Sequence, residues 1–171
     1  LFTAAFGPTV IATNGTSTLT LTIDNAASLA EAAGLAVATA LPTNVVVATP
    51  SSASTSCAGG TLTAADGGTS VSYTGGSVAG GASCTISLDI TGTAPDLYTV
   101  TTGDLTSSLG NSGPASADLR VAEMMFAKTF AEDGVAAGGS TDLTFTLMNG
   151  STADTRSKPR TMMMSKSTTT A

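Results

Sequence analysis

The stretch Thr16-Ser17-Thr18-Leu19-Thr20-Leu21-Thr22-Ile23 decides the fold class. Leu19, Leu21 and Ile23 alternate with Thr18, Thr20 and Thr22, the period of two expected of a strand with one buried and one wet face. Threonine suits the wet face because its β-branch restricts χ1 and favours extended backbone. The same alternation returns in Thr69–Tyr73, Cys84–Ile90, Leu97–Thr101 and Ala115–Val121. Val45–Val47 is a continuous apolar run and predicts a strand buried on both faces. Asn14-Gly15, Asp66-Gly67-Gly68, Gly75-Gly76, Gly80-Gly81 and Asn111-Ser-Gly-Pro114 supply turn chemistry between these runs. Ala26–Ala40 is rich enough in Ala and Leu to compete as a helix, but Gly34 and the run Ala36–Leu41 favour a loop followed by a strand. Short strands separated by Gly-rich turns predict an all-β sandwich.

The composition sets what such a sandwich is built from. Hydrophobic residues make up 42% of the 171, with no Trp, 2 Tyr and 5 Phe, so the core must be Val, Leu, Ile and Ala. There is no His, which excludes Ser-His-Asp and Cys-His catalysis, imidazole zinc sites and haem ligation by His. A net charge of −6 argues against a nucleic-acid partner, whose phosphates need a basic footprint. No apolar run approaches the ~18 residues of a membrane span. The chain opens at Leu1 without a signal peptide, which reads as a processed product or fragment.

Charge is unevenly spread. Residues 1–149 hold Arg120 and Lys128 against eleven acidic groups, whereas 150–171 hold Arg156, Lys158, Arg160 and Lys166 against Asp154. All six Met lie beyond residue 123, three of them at Met162–Met164. A sparsely charged, acidic, Thr-rich body is typical of an extracellular protein.

The chain also repeats itself. Phe2–Asn25 aligns without a gap on Phe126–Asn149, an offset of 124 residues, with eight identities: Phe2/Phe126, Phe6/Phe130, Ala12/Ala136, Gly15/Gly139, Leu19/Leu143, Thr20/Thr144, Thr22/Thr146 and Asn25/Asn149. The organisation this predicts is a complete module over 1–122 and the opening strands of a second, incomplete one over 123–149. A tail follows over 150–171, read as disordered or as a truncation or frame scar. An isolated pair of strands is marginal in water, so Lys128, Phe130 and Phe145 would need cover from the first module or a neighbouring chain.

Phe6-x-Pro8, Ile11–Asn25, Leu41-Pro42, Ser54–Val71, Gly80–Ile86 and Asn111–Ala117 together resemble bacterial cell-surface Ig-like repeats, the conserved domain of unknown function called the "eleven" family and its relatives. The family's Asp-Thr-Leu-Pro-like stretch reads Ala38-Thr-Ala-Leu-Pro42 here, without the Asp. The resemblance implies an Ig-like Greek-key β-sandwich carried in tandem on large exported proteins, and no catalytic residues.

Cys57 and Cys84, 27 residues apart, are the only cysteines. In an exported protein an even count implies a bridge, worth about 3 kcal/mol for a loop of this size. Two buried free thiols or a redox pair are the alternatives. No Lys precedes Lys128, so the first module cannot staple itself by a Lys isopeptide bond. Asp24, Asp66, Asp89, Asp96 and Asp104 are dispersed and lack the spacing that gathers Ca²⁺ ligands in one loop. Asp89 reads as the wet face of its strand. Asn14-Gly-Thr16 and Asn149-Gly-Ser151 match glycosylation sequons but read as equivalent turn positions in the two modules. Glycosidase chemistry lacks the clustered aromatics that stack on sugar rings.

The function expected is non-enzymatic and architectural: an extracellular or cell-surface filament, stalk or matrix element, with no metal and no cofactor. Its partners would be neighbouring copies of itself or adjacent modules. Phe2, Phe6, Phe126 and Phe130 are the candidate inter-module contacts, since i and i+4 share one face of a strand; ordinary core packing is their other reading. The rival function is an adhesin module that binds a cell-surface glycan or a protein through its end loops.

Overall fold

The computed structural model describes residues 1–131, 134–149 and 160–164. The chain forms two compact units, Leu1–Val121 and Ala122–Ala171. Every regular element in the described residues is a strand.

In the first unit, one layer is the sheet β1-β3-β9-β5: β1 (Phe2–Gly7), β3 (Thr16–Asp24), β9 (Ser83–Gly92) and β5 (Val45–Val47), with β6 (Ser54–Thr55) also on β9. The second layer has two parts. The first is β10 (Asp96–Thr101), β13 (Ser116–Ala122) and β2 (Val10–Ala12), and the second is β12 (Gly110–Asn111), β11 (Thr106–Ser107), β4 (Ala32–Ala40), β8 (Ser70–Val78) and β7 (Ala58–Thr63). The Gly103 amide donates to Ala38 O at 2.7 Å and links the two parts. After β1 the chain passes the cis Gly7–Pro8 bond and continues as β2, so one segment serves both layers. This is an Ig-like Greek-key sandwich.

The alternation of β3 is realised rung by rung. Leu19, Leu21 and Ile23 stand opposite Leu88, Ile86 and Cys84 of β9, all buried, while Thr18 and Asp89 meet on the wet face, where the Thr18 hydroxyl donates to Asp89 Oδ1 at 2.7 Å. Val71, Ile90, Val100 and Leu119 complete the aliphatic core that the pattern predicts. Ala26–Ala40 resolves into a loop and β4. Two readings are corrected. Val45–Val47 is not buried on both faces: Val45 and Val47 are fully buried but Val46 is only half-buried, because β5 lies at the edge of its sheet. Gly75-Gly76 is not a turn but lies inside β8, where pairing with β4 shifts register between Ala33 and Ala36.

Both tyrosines are buried with their hydroxyls bonded. Tyr98 donates to Ala94 O at 2.9 Å, four residues back at the start of β10, the tyrosine-corner arrangement of such sandwiches. Tyr73 donates to Gly59 O at 2.8 Å and lies against Gly60 and Gly76, where a Cβ would collide with its ring.

The chain enters and leaves the first unit at opposite ends. Leu1 and Asp24 exchange backbone hydrogen bonds at the end of β3, beside the 25–31 loop, while the Asn14 amide bonds Gly92 O at its start. A Cβ on Gly92 would strike the Val121 side chain, and Val121 pairs with Asp96. Nine residues of β3, about 26 Å at strand rise, separate this entry pole from the exit pole.

The second unit pairs β14 (Met124–Phe130), β15 (Leu143–Asn149) and β16 (Arg160–Met164) in that order. Its register reproduces the first: Phe2↔Ile23 and Phe6↔Leu19 correspond to Phe126↔Leu147 and Phe130↔Leu143. The turn before the second strand also recurs, with Gly15 N bonding Ala12 O and Gly139 N bonding Ala136 O, each at 2.8 Å. Asn149 pairs with Met124 at the end of β15 and so corresponds to Asn25, not to the Asn14 turn. Within the tail, Arg160–Met164 pairs with β15; residues 150–159 and 165–171 lie outside the described residues.

Tyr98→Phe should lower the unfolding free energy by about 1 kcal/mol, by removing the partly buried hydrogen bond to Ala94 O, as read from the urea midpoint. Gly76→Ala should cost at least about 1–3 kcal/mol in the same assay, because a methyl group cannot share space with the Tyr73 ring.

Candidate functional site

The distinctive chemistry of the first unit is its staple. Cys57 and Cys84 are disulfide-bonded, their Cα atoms 4.9 Å apart, with no free cysteine among the described residues. Cys57 sits where the chain leaves β6, paired in one layer, to begin β7 in the other, and Cys84 sits on the inward face of β9. The bond therefore ties a crossover between layers to a central strand. Hydroxyls frame it: Thr55 Oγ1 donates to Thr85 O at 3.0 Å and accepts from the Cys57 amide at 3.1 Å, and Ser56 Oγ accepts from the Thr85 amide at 2.8 Å. This overturns the alternative of two free thiols.

The carboxylates are spent locally. Asp24 accepts from the Ala26 amide, Asp66 from the Ser51 amide, Asp96 from the Leu97 amide and Asp104 from the Asn111 side chain, at 2.7–2.9 Å. Among the described residues no three His, Cys, Asp or Glu side chains converge as metal ligands would.

Phe2 and Phe6 are each 7% exposed and belong to the core of their own unit, which leaves little of either ring for contact elsewhere. Phe130 is 55% exposed and Lys128 is exposed, while of Phe126 the backbone pairing with Leu147 is described. The structure thus places the four phenylalanines in two equivalent strand positions with unequal burial at Phe6 and Phe130.

Hollows mark the surface of the first unit. A shallow one of about 260 Å³ lies over Ala36, Ala38, Ser72, Thr74, Asp104 and Thr106, and its lining carries no aromatic ring. A smaller one of about 70 Å³ at the entry pole is bordered by Leu1 and Leu109, with Leu35 and Leu105 among its walls. Sequence reasoning missed the entry-pole leucines, since a lone Leu in a polar loop carries no periodic signal.

Together these features define a disulfide-stapled, Ig-like sandwich module threaded by its chain from pole to pole. Residues 1–121 match the family model DUF7933, a domain of unknown function, and the chain belongs to that family. The matched family carries a different designation from the one the short motifs resemble. Among curated proteins none matches. Among solved structures, the chain is similar to a variant of BcpA, the major pilin subunit of Bacillus cereus, at 9% identity and a TM-score of 0.47. That alignment covers 97% of this chain and 66% of the pilin chain.

Removing the bridge by Cys57→Ala with Cys84→Ala should lower stability by about 3 kcal/mol, since a loop of 27 residues is freed in the unfolded chain. Wild-type protein under reducing denaturation should show the same shift in midpoint, and the double variant should be insensitive to reductant.

Proposed function

We propose that this chain is a non-enzymatic structural module of a bacterial surface or secreted protein, a strut that spaces or connects other parts in tandem with its own kind. The observation that carries the reading is the placement of the chain at opposite poles of the first unit. A module entered and left at opposite ends adds its full length to an array, whereas one with adjacent termini hangs from the chain as a side branch. Glu123 alone separates β13 from β14, so a second set of strands follows without a long linker. The second set repeats the first pairing register at an offset of 124 residues, as a tandem module would.

Chemistry supports the same reading. The disulfide suits an oxidising compartment outside the cytoplasm. The chain has no His, and Asp24, Asp66 and Asp104 each accept a local hydrogen bond, which supports reading these carboxylates as structural. Sequence periodicity, core and staple all serve rigidity.

Four copies of residues 1–121 joined in tandem and imaged by negative-stain electron microscopy should appear as a rod lengthening by about 40 Å per copy, from a pole-to-pole ladder of about 26 Å plus end loops. Compact clusters whose long dimension does not grow with copy number would contradict the strut.

A further inference from the structure

A unit in an array also has sides, and one side of the first unit ends in an open strand. Among the described residues β1 pairs with β3 on one flank and with no strand on the other. Its hydrogen-bond phase is fixed at the first rung. The Leu1 amine donates to Asp24 O at 2.7 Å, and the Asp24 amide donates back to Leu1 O at 2.8 Å. Exchanging pairs alternate with non-bonded ones in an antiparallel ladder, so Thr3, Ala5 and Gly7 bond to β3. The amides and carbonyls of Phe2, Ala4 and Phe6 then point to the open side, and no other hydrogen bond reaches these three residues among those described.

An open row of this kind is a template for another strand, and proteins commonly guard it. The other sheet ends of the first unit are short, kinked or flanked. β2, β5, β6 and β12 have two or three residues each, Gly59 and Gly60 bend β7 at positive φ, and β10 lies beside β4 in its own layer. β1 runs six residues with no charge, no proline and no bulge. The repeat of this strand in the second unit supplies the contrast. There Lys128 opposite Phe145 takes the place of Ala4 opposite Leu21, and an exposed mid-strand lysine is a common guard against edge pairing.

The residues of β1 also specify the strand that fits. Its core-facing row reads Phe2, Ala4, Phe6, the same in both directions about Ala4. A two-fold axis through Ala4 sets Phe2 against the partner's Phe6 and Ala4 against the partner's Ala4. The residues so matched are the ones with free backbone groups, and each pair exchanges both bonds. On the outer face Thr3 meets the partner's Ala5, so no like charges face each other. The same axis through β14 would set Lys128 against its own copy.

We propose that two copies of this chain pair antiparallel through β1, with Ala4 on the two-fold axis, and that their β1-β3-β9-β5 sheets join into one. The contact is isologous and closes at two copies. It goes beyond the strut reading and does not rest on it, because units can be joined at their sides whatever lies at their ends.

The full chain is tested by sedimentation velocity over rising concentration. Wild type should pass from monomer to dimer and no further. Thr3→Lys with Ala5→Lys places like charges across both outer rungs and should weaken the dimer about tenfold or more. Thr3→Glu with Ala5→Lys places opposite charges on the same rungs and should keep the dimer within about threefold of wild type. Both positions are exposed, so both variants should melt as wild type does. A dimer retained in full by the double-lysine variant, or lost in both variants, overturns the proposal. So does a wild type that is monomeric up to about 1 mM, the weak limit of a specific contact, or one whose growth does not stop at two copies. None of these outcomes touches the strut, which the tandem array tests on its own.

Discussion

The pairing of β3 with β9 is the constraint on which the first unit depends. Nine consecutive rungs, Thr16↔Thr91 to Asp24↔Ser83, fix which side chains face inward on both strands at once. A slip of one residue would turn the inward set of one strand, Leu19, Leu21 and Ile23 or else Ile86, Leu88 and Ile90, to water. The register therefore sets the core, and through Cys84, opposite Ile23, it also sets where the staple reaches the crossover at Cys57. β1 is aligned by the same strand, with Phe2 over Ile23 and Phe6 over Leu19. Entry pole and exit pole are simply the two ends of this ladder.

How far the sequence speaks depends on whether a residue's role is periodic. Strict alternation in Thr16–Ile23 and Cys84–Ile90 marks two central strands and most of the aliphatic core, because a half-buried strand leaves no other pattern. Gly75-Gly76 misleads, since a glycine pair signals a turn as readily as a bulge; Gly76 lies against the Tyr73 ring, where a Cβ would collide, and Gly75 has a φ of 81°. Val45–Val47 misleads for a related reason: an apolar triplet does not say whether the strand has a neighbour on each side. The bridge is legible from the count of two cysteines in a chain with the composition of an exported protein. The poles are not, because Leu1 and Leu109 come together only when distant segments are brought to one end.

The second unit shows what a repeated strand pair retains when the rest of its module differs. β14 and β15 keep the register of β1 and β3, and the intervening turn keeps its Ala12-type carbonyl contact through Ala136. Where β9 lies on β3 in the first unit, β16 lies on β15 in the second, so that Leu143 faces Met164 as Leu19 faces Leu88. Pairing register is thus a local property, set by alternation and turn, that survives a change in the strand laid beside it.

The staple also sets how far the module can stretch. A chain pulled at Leu1 and Val121 transmits tension through Cys57 and directly to Cys84, so the 27-residue loop holding β7 and β8 never enters the load path while the bridge is intact. Even a fully unravelled unit then reaches about 90 Å less than its peptide length would permit. Tension that breaks the ladder of β3 and β9 ends at a short covalent stop, and the β7–β8 hairpin inside the loop is left without load.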